Sequence, residues 1–184
     1  MRLILKGQDV GFKFSAAHLL PGHFKCSRMH GHNYVLDVEI ETSELVNGMI
    51  LDFVEIKKVV REFLEQFDHK LLLPSNADNL SIEQSPTKGY KVIVYHLPKS
   101  ELNVSTGILL GEGIVSDDDD MFANKEYVIP KTDIVQIPKP YVTAEELVEY
   151  IHQRLYPIIC SMCSTKPTVT LTLFEDSGQG VTIS

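Results

Sequence analysis

Residues 10–41 read VGFKFSAAHLLPGHFKCSRMHGHNYVLDVEIE, and this stretch decides how the first third of the chain folds. From Val10 to Ala17 the residues alternate, with Phe12, Phe14, Ala16 and His18 on one face and Lys13, Ser15 and Ala17 on the other. A period of two is the pattern of a half-buried strand. After a Pro21-Gly22 turn, a second alternating run sets His30, His32, Tyr34, Leu36, Val38 and Ile40 against Val35, Asp37, Glu39 and Glu41. Two such runs joined by a turn predict an antiparallel pair.

Farther along, Asn47-Gly48 marks a turn, and Asp52 with Glu55 forms a capping box that opens a helix. Its apolar residues Phe53, Ile56, Val59, Val60, Phe63, Leu64 and Phe67 fall at three-and-four spacing, so they form one stripe, and the helix should end near Asp68. Thr143 with Glu146 repeats the cap signature, and Leu147, Val148, Ile151 and Leu155 give a second amphipathic helix that Pro157 is expected to end. The chain closes on a hairpin signal, Thr168 to Phe174, then Ser177 to Gly180, then Val181 to Ile183. Between the helices, residues 75–138 hold β-prone stretches (Tyr90 to Leu97, Ile108 to Val115, Tyr127 to Ile137) broken by Gly, Pro and Asp. The four carboxylates Asp117 to Asp120 repel one another and should be solvated.

The 184 residues, 43% apolar and 23% charged, have the composition of a soluble globular protein. A net charge of -8 argues against a general nucleic-acid or anionic-membrane surface. That charge is uneven: residues 1–74 carry 9 basic and 10 acidic groups, residues 75–138 carry 5 and 10, and residues 139–184 carry 3 and 5. No apolar run approaches the roughly 18–20 residues that cross a bilayer, and the Met1 to Lys6 start has no secretory pattern, so the expected location is the cytoplasm. Three cysteines cannot build a disulfide framework, which makes a useful cysteine a thiol or a ligand.

The histidines carry the strongest chemical signal. His30 and His32 point to one side of a strand, and His18 ends the paired strand on a comparable face. Three converging imidazoles suit a catalytic zinc with one open position, although cobalt, nickel or iron also accept such donors. Cys26 lies four residues before His30 in a turn that also holds Lys25 and Arg28. Cations and a metal nearby favour the thiolate that a base or nucleophile needs, while the alternative is a small buried hydrophobe. Asp68-His69 can tune proton transfer or simply cap the preceding helix, and Glu175 can accept a flat amine-and-amide edge or mark a strand's exit into solvent. Cys160 and Cys163 have metal or redox spacing but no second pair, and read as incidental.

Phe14-Ser15-Ala16-Ala17-His18, Gly22 to Tyr34 with its Cys-x-x-x-His-Gly-His element, Met49-Ile50-Leu51-Asp52-Phe53, Asp68-His69 and Thr143-Ala144-Glu145 resemble the 6-pyruvoyl-tetrahydropterin synthase superfamily. The match covers residues 1–74 and 139–184, and within the group it is closest to the 6-carboxytetrahydropterin synthases of queuosine biosynthesis. The resemblance implies an α+β T-fold: one antiparallel four-stranded sheet with two helices on one side, assembled into a barrel of three subunits and usually a hexamer. On this basis the whole chain is a single T-fold domain, with residues 75–138 a β-rich insertion that the compact family pattern lacks. It further implies that His18, His30 and His32 bind zinc, that Cys26 moves protons, and that Asp68 and His69 complete a catalytic triad across a subunit boundary. Glu175 matches the pterin anchor, Thr143 and Glu145 the substrate-pocket motif, and Lys25 and Arg28 sit where a triphosphate needs cations.

The implied substrate is 7,8-dihydroneopterin triphosphate. The short Cys26-to-His30 spacing resembles enzymes that release acetaldehyde and triphosphate and leave a 6-carboxyl group. A 6-pyruvoyl-tetrahydropterin synthase is the second reading, and a zinc-stabilised pterin-binding homologue without catalysis the third. A folate-type relative would carry a glutamate near Cys26, and Cys26 to Met29 contains none. Glu146 departs from the asparagine that the family often has.

Overall fold

In the computed structural model, residues 1–23, 25–84, 89–94 and 125–184 are described. The alternating runs form β2 (Lys13–His18) and β3 (His30–Glu41), paired antiparallel with Phe14 opposite Tyr34, Ala16 opposite His32 and His18 opposite His30. Gly31 makes this pairing possible, because any Cβ there would press on the Ala16 carbonyl oxygen at 2.8 Å. Strand β9 (Thr168–Asp176) takes one edge of β3, from Val35 to Glu41, and β10 (Gln179–Ile183) pairs with β9 as the terminal hairpin.

The other edge of β3 is shared. Beyond β2 it accepts β1 (Arg2–Leu5), opposite Val38 to Glu41, and the short helix α1 (Gly7–Val10) bridges the two partners. Neither was apparent from the sequence, since four residues are too few to establish a period. Asp37, buried, accepts from the Gly7 N–H at 2.7 Å and from Lys6 Nζ at 2.8 Å, which pins α1 against β3.

The four antiparallel strands β10-β9-β3-β2 are those the resemblance implied. The sheet continues past them through two parallel neighbours, β4 (Lys70–Pro74) beside β2 and, beyond the small sheet described below, β8 (Ile134–Ile137) beside β4. The result is a mixed seven-stranded sheet in an α+β fold, open in the single chain.

Helix α2 (Phe53–Leu64) begins where the Asp52 carboxylate accepts from the Val54 N–H at 2.6 Å, and turns carry the chain on to Asp68. Ile56, Val60, Phe63, Leu64 and Phe67 are buried as expected, but Phe53, in the first turn, is 57% exposed. Helix α3 (Ala144–Met162) is capped by Thr143, whose hydroxyl accepts from the Glu146 N–H at 3.4 Å. It does not end at Pro157. The proline sits on the exposed side, where the ladder loses one donor, while Leu155 and buried Ile159 hold the last turns to the core. Both helices share one core with Phe14, Tyr34, Leu36, Val38, Ile40, Val169, Leu171 and Leu173.

Residues 75–138 contribute more than β8. Strands β5 (Leu80–Gln84), β6 (Gly89–Val94) and β7 (Lys125–Pro130) form a three-stranded antiparallel sheet. Val92 and Val94 join Leu19, Leu71 and Leu73 in a second core. The expected stretch from Tyr127 to Ile137 is two strands separated by a 3-10 turn, Lys131–Asp133, that follows Pro130. The expected strand over Ile108 to Val115, the end of the Tyr90 to Leu97 stretch and the Asp117 to Asp120 run lie outside the described residues. No described helix is long and apolar enough to cross a membrane.

Candidate active site

The β2–β3 register brings three imidazoles together. Ring centroids of His18 and His30 lie 4.4 Å apart, His18 and His32 5.1 Å, and His30 and His32 5.4 Å. In each ring Nδ1 faces an acceptor: the Val142 carbonyl at 2.6 Å for His18, the Arg28 carbonyl at 2.8 Å for His30, and Asp176 Oδ2 at 3.3 Å for His32. An Nδ1–H that donates to a carbonyl leaves the Nε2 lone pair free, which is the tautomer a metal ligand needs. One ring nitrogen from each residue falls within 4.8 Å of the others.

His18 is 2% exposed, and its Nε2 is a buried polar atom without a hydrogen-bond partner among the described residues. Burial pushes its pKa down to about 4, the Val142 carbonyl opposes this, and the neighbouring histidines lower it further. A neutral, buried lone pair aimed at two more imidazoles fits a cation. Three nitrogen donors match the three-ligand zinc set.

The rings line a cleft of about 910 Å³ that also holds Lys25, Cys26, Arg28, Thr143, Glu145 and Glu175. Cys26 is half-buried in a turn, where its N–H donates to His23 Nδ1 at 2.9 Å and its carbonyl accepts from the Leu20 N–H at 2.8 Å. Phe24, beside it, is outside the described residues. Glu175 continues the Val169, Leu171, Leu173 face of β9 into the cleft. Burial raises its carboxyl above the usual range, His32 and His30 draw it down, and Glu145 and Asp176 push it up. Thr143 and Glu145 reach the cleft because Val142, just before α3, is bonded to His18.

Sequence reasoning missed two neighbours. Lys125 at the start of β7 is held below its usual range, first by burial and then by the charge of Arg28, so residues 75–138 place a cation near the cleft's basic rim. Tyr34 is fully buried beneath the histidines, with ring centroids 5.8 Å from His32 and 6.3 Å from His18. Burial, then the charges of Glu175 and Asp176, push its phenol well above the ordinary range. Its place in the alternating run was legible, but its unmet hydroxyl was not.

Asp68 and His69 are not part of this cleft. They line a second one, about 970 Å³, with Lys13, Ser15, Asn33 and Asp176. His69 has a positive φ of 57°, donates its N–H to the Ser15 carbonyl at 2.7 Å, and places Nδ1 2.7 Å from Asp68 Oδ2. Burial works to raise the Asp68 carboxyl, but the Ser15 N–H at 2.7 Å and then His69 outweigh it and hold it below its usual range. A shallower depression borders both His32 and His69, without Cys26. Cys160 and Cys163, free thiols at the end of α3, are in none of these clefts.

Comparison with known proteins places these features in context. The family description 6-pyruvoyl tetrahydropterin synthase matches residues 9–184. A Methanocaldococcus jannaschii protein, provisionally named a 6-carboxy-5,6,7,8-tetrahydropterin synthase, is 30% identical over 182 residues, covering 98% of this chain and 94% of the relative. The 6-carboxy-5,6,7,8-tetrahydropterin synthase of Rickettsia felis is 32% identical over 97 residues, 51% of this chain and 70% of its own. In fold, the chain is similar to the Plasmodium vivax 6-pyruvoyltetrahydropterin synthase, with a TM-score of 0.73 at 24% identity over 100% of this chain and 96% of that one.

Proposed function

The chain belongs to the 6-pyruvoyl tetrahydropterin synthase family, and we propose that within it the protein is a zinc-dependent 6-carboxytetrahydropterin synthase acting on 7,8-dihydroneopterin triphosphate. One observation carries the reading: three imidazoles with free, converging nitrogens share a cleft with Cys26 and Glu175. The names of relatives such as the Rickettsia felis protein support the carboxy product.

Each role follows from the chemistry of the side chain. The Glu175 carboxylate accepts two parallel hydrogen bonds from the amine-and-amide edge of the pterin ring, and this fixes the ring's orientation. Thr143 and Glu145 border the same pocket. Lys25 and Arg28, on the basic side, meet the triphosphate. His18, His30 and His32 would hold the zinc, which would supply Lewis acidity toward a side-chain oxygen of the substrate. Cys26 takes and returns protons at the side-chain carbons, and a His69 oriented by Asp68 relays them.

The last role requires a second copy of the chain, because Asp68 and His69 line a different cleft from Cys26 in one chain. The proposed assembly is the barrel trimer, stacked as a hexamer. The outer strands β10 and β8 support it, since open sheet edges call for covering. The proposed setting is the cytoplasm and the queuosine pathway.

Purified, metal-loaded protein incubated with dihydroneopterin triphosphate should release acetaldehyde in step with triphosphate. A pyruvoyl product without acetaldehyde would overturn the carboxy assignment in favour of the pyruvoyl synthase.

A further inference from the structure

Tyr34 is a buried polar group that the proposed chemistry leaves without a role. It is fully buried, and its hydroxyl has no hydrogen-bond partner among the described residues. The ring itself is fixed, stacked on Phe14 with centroids 4.8 Å apart and edge-on to His18 and His32. A buried hydroxyl held in place without a partner is costly, so an acceptor should meet it in the working state.

The sheet register names that acceptor. Val35 lies opposite Phe174 in the antiparallel β3–β9 pair, so one step farther along Tyr34 stands opposite Glu175. Directly opposed side chains on one face are close neighbours. Of the two carboxylates nearest the phenol, Glu175 and Asp176, Glu175 is the one that the register sets directly opposite it. The Glu175 side chain is half-buried and can turn about its outer bonds, whereas the Tyr34 ring cannot.

We propose that Tyr34 is a positioning residue for ring recognition: its phenolic O–H donates to the Glu175 carboxylate and holds that group in the plane in which it accepts from the pterin's N–H groups. The inference rests on the reading of Glu175 as the pterin anchor. Being fully buried, Tyr34 acts through Glu175 and touches no substrate atom.

A double-mutant cycle on the metal-loaded protein, titrated with neopterin, tests both claims separately. Tyr34→Phe keeps the ring stacked on Phe14 and removes only the donor. We expect its dissociation constant for neopterin to rise roughly tenfold, with metal content unchanged and Tm at or above that of the unaltered protein. With dihydroneopterin triphosphate the effect should fall on KM rather than kcat. Introduced into Glu175→Gln, the same change should add less than about twofold, because the acceptor is already altered. Unaltered neopterin binding by Tyr34→Phe, or an equal loss in both backgrounds, would overturn the proposal while leaving Glu175 as the anchor. A lowered Tm would assign the hydroxyl to packing and overturn it too. If Glu175→Gln itself binds neopterin normally, the reading of Glu175 fails, and this inference fails with it.

Discussion

The cleft around His18, His30 and His32 and the cleft holding Asp68 and His69 are close in volume, about 910 and 970 Å³, but differ in how their residues are held. In the first, each imidazole has Nδ1 facing an acceptor, and His18 is almost wholly buried. In the second, the His69 side chain is 83% exposed and its ring contact is with the adjacent Asp68. The three-histidine cleft is therefore prepared by the folding of one chain, while the Asp68-His69 pair is oriented on a more exposed surface. On the proposed reading, this difference assigns metal binding to the single chain and turnover to the assembly.

The sharpest way to break this comparison is to remove a ligand. His18→Ala should reduce bound zinc from about one per chain to near zero and abolish acetaldehyde release. Full zinc occupancy in that variant, measured by metal analysis, would exclude His18 from the ligand set.

Next come the two groups proposed to transfer protons. Cys26→Ala and His69→Ala should each keep zinc and lose roughly 10²- to 10⁴-fold in turnover. Zinc lost from Cys26→Ala would make the thiol a ligand instead. Unfolded and refolded together, the two variants should recover activity that neither has alone, because some cleft pairs then combine an intact Cys26 with an intact His69. Mixtures no more active than their parts would place both groups in one chain's site.

These contrasts also mark what the sequence could reveal. A period of two is enough to put His18, His30 and His32 on one face, and the β2–β3 pairing follows from two such runs and a turn. Glu175 stood out as a charge ending the apolar run of β9, and the family resemblance marked it as a candidate anchor. The parallel pairing of β8 with β4 was not, since it joins residues some 60 positions apart through stretches whose order no local pattern encodes. Pro157 misled because a helix end reflects local bonding, whereas burial of Ile159 pays for the missing donor from outside the helix. The separation of His69 from Cys26 depends on where β4 leaves β2, which is tertiary information.

The clefts should also differ in the pH at which they contribute to stability. Folded His18 has a pKa of about 4 against an ordinary 6.5, so between those values the unfolded chain takes up a proton that the folded chain refuses. Stability of the metal-stripped protein should then fall as pH drops through that window, by about 3 kcal/mol at most. Asp68, depressed, contributes stability that is lost only lower down, as pH falls through its folded value below the ordinary carboxylate range. Urea unfolding at pH 7.5 and 4.5 measures the first effect, and His18→Gln should flatten it. An unchanged slope in His18→Gln would assign the acid sensitivity elsewhere.

The smallest expected effect tests Asp176, the residue that borders the second cleft while facing His32 of the first. Its carboxylate lies 3.3 Å from His32 Nδ1 and its side chain is 69% exposed, so solvent competes for the contact. His18 and His30 are oriented instead by backbone carbonyls, which no side-chain substitution removes. Asp176→Ala should therefore weaken zinc binding by about tenfold, the low end of what losing an outer partner of a ligand costs. Competition against a chelator of known affinity measures this directly. A loss well beyond 100-fold would show that His32 depends on Asp176 as His18 depends on Val142, and the metal cleft would then owe its order to a residue of the exposed one.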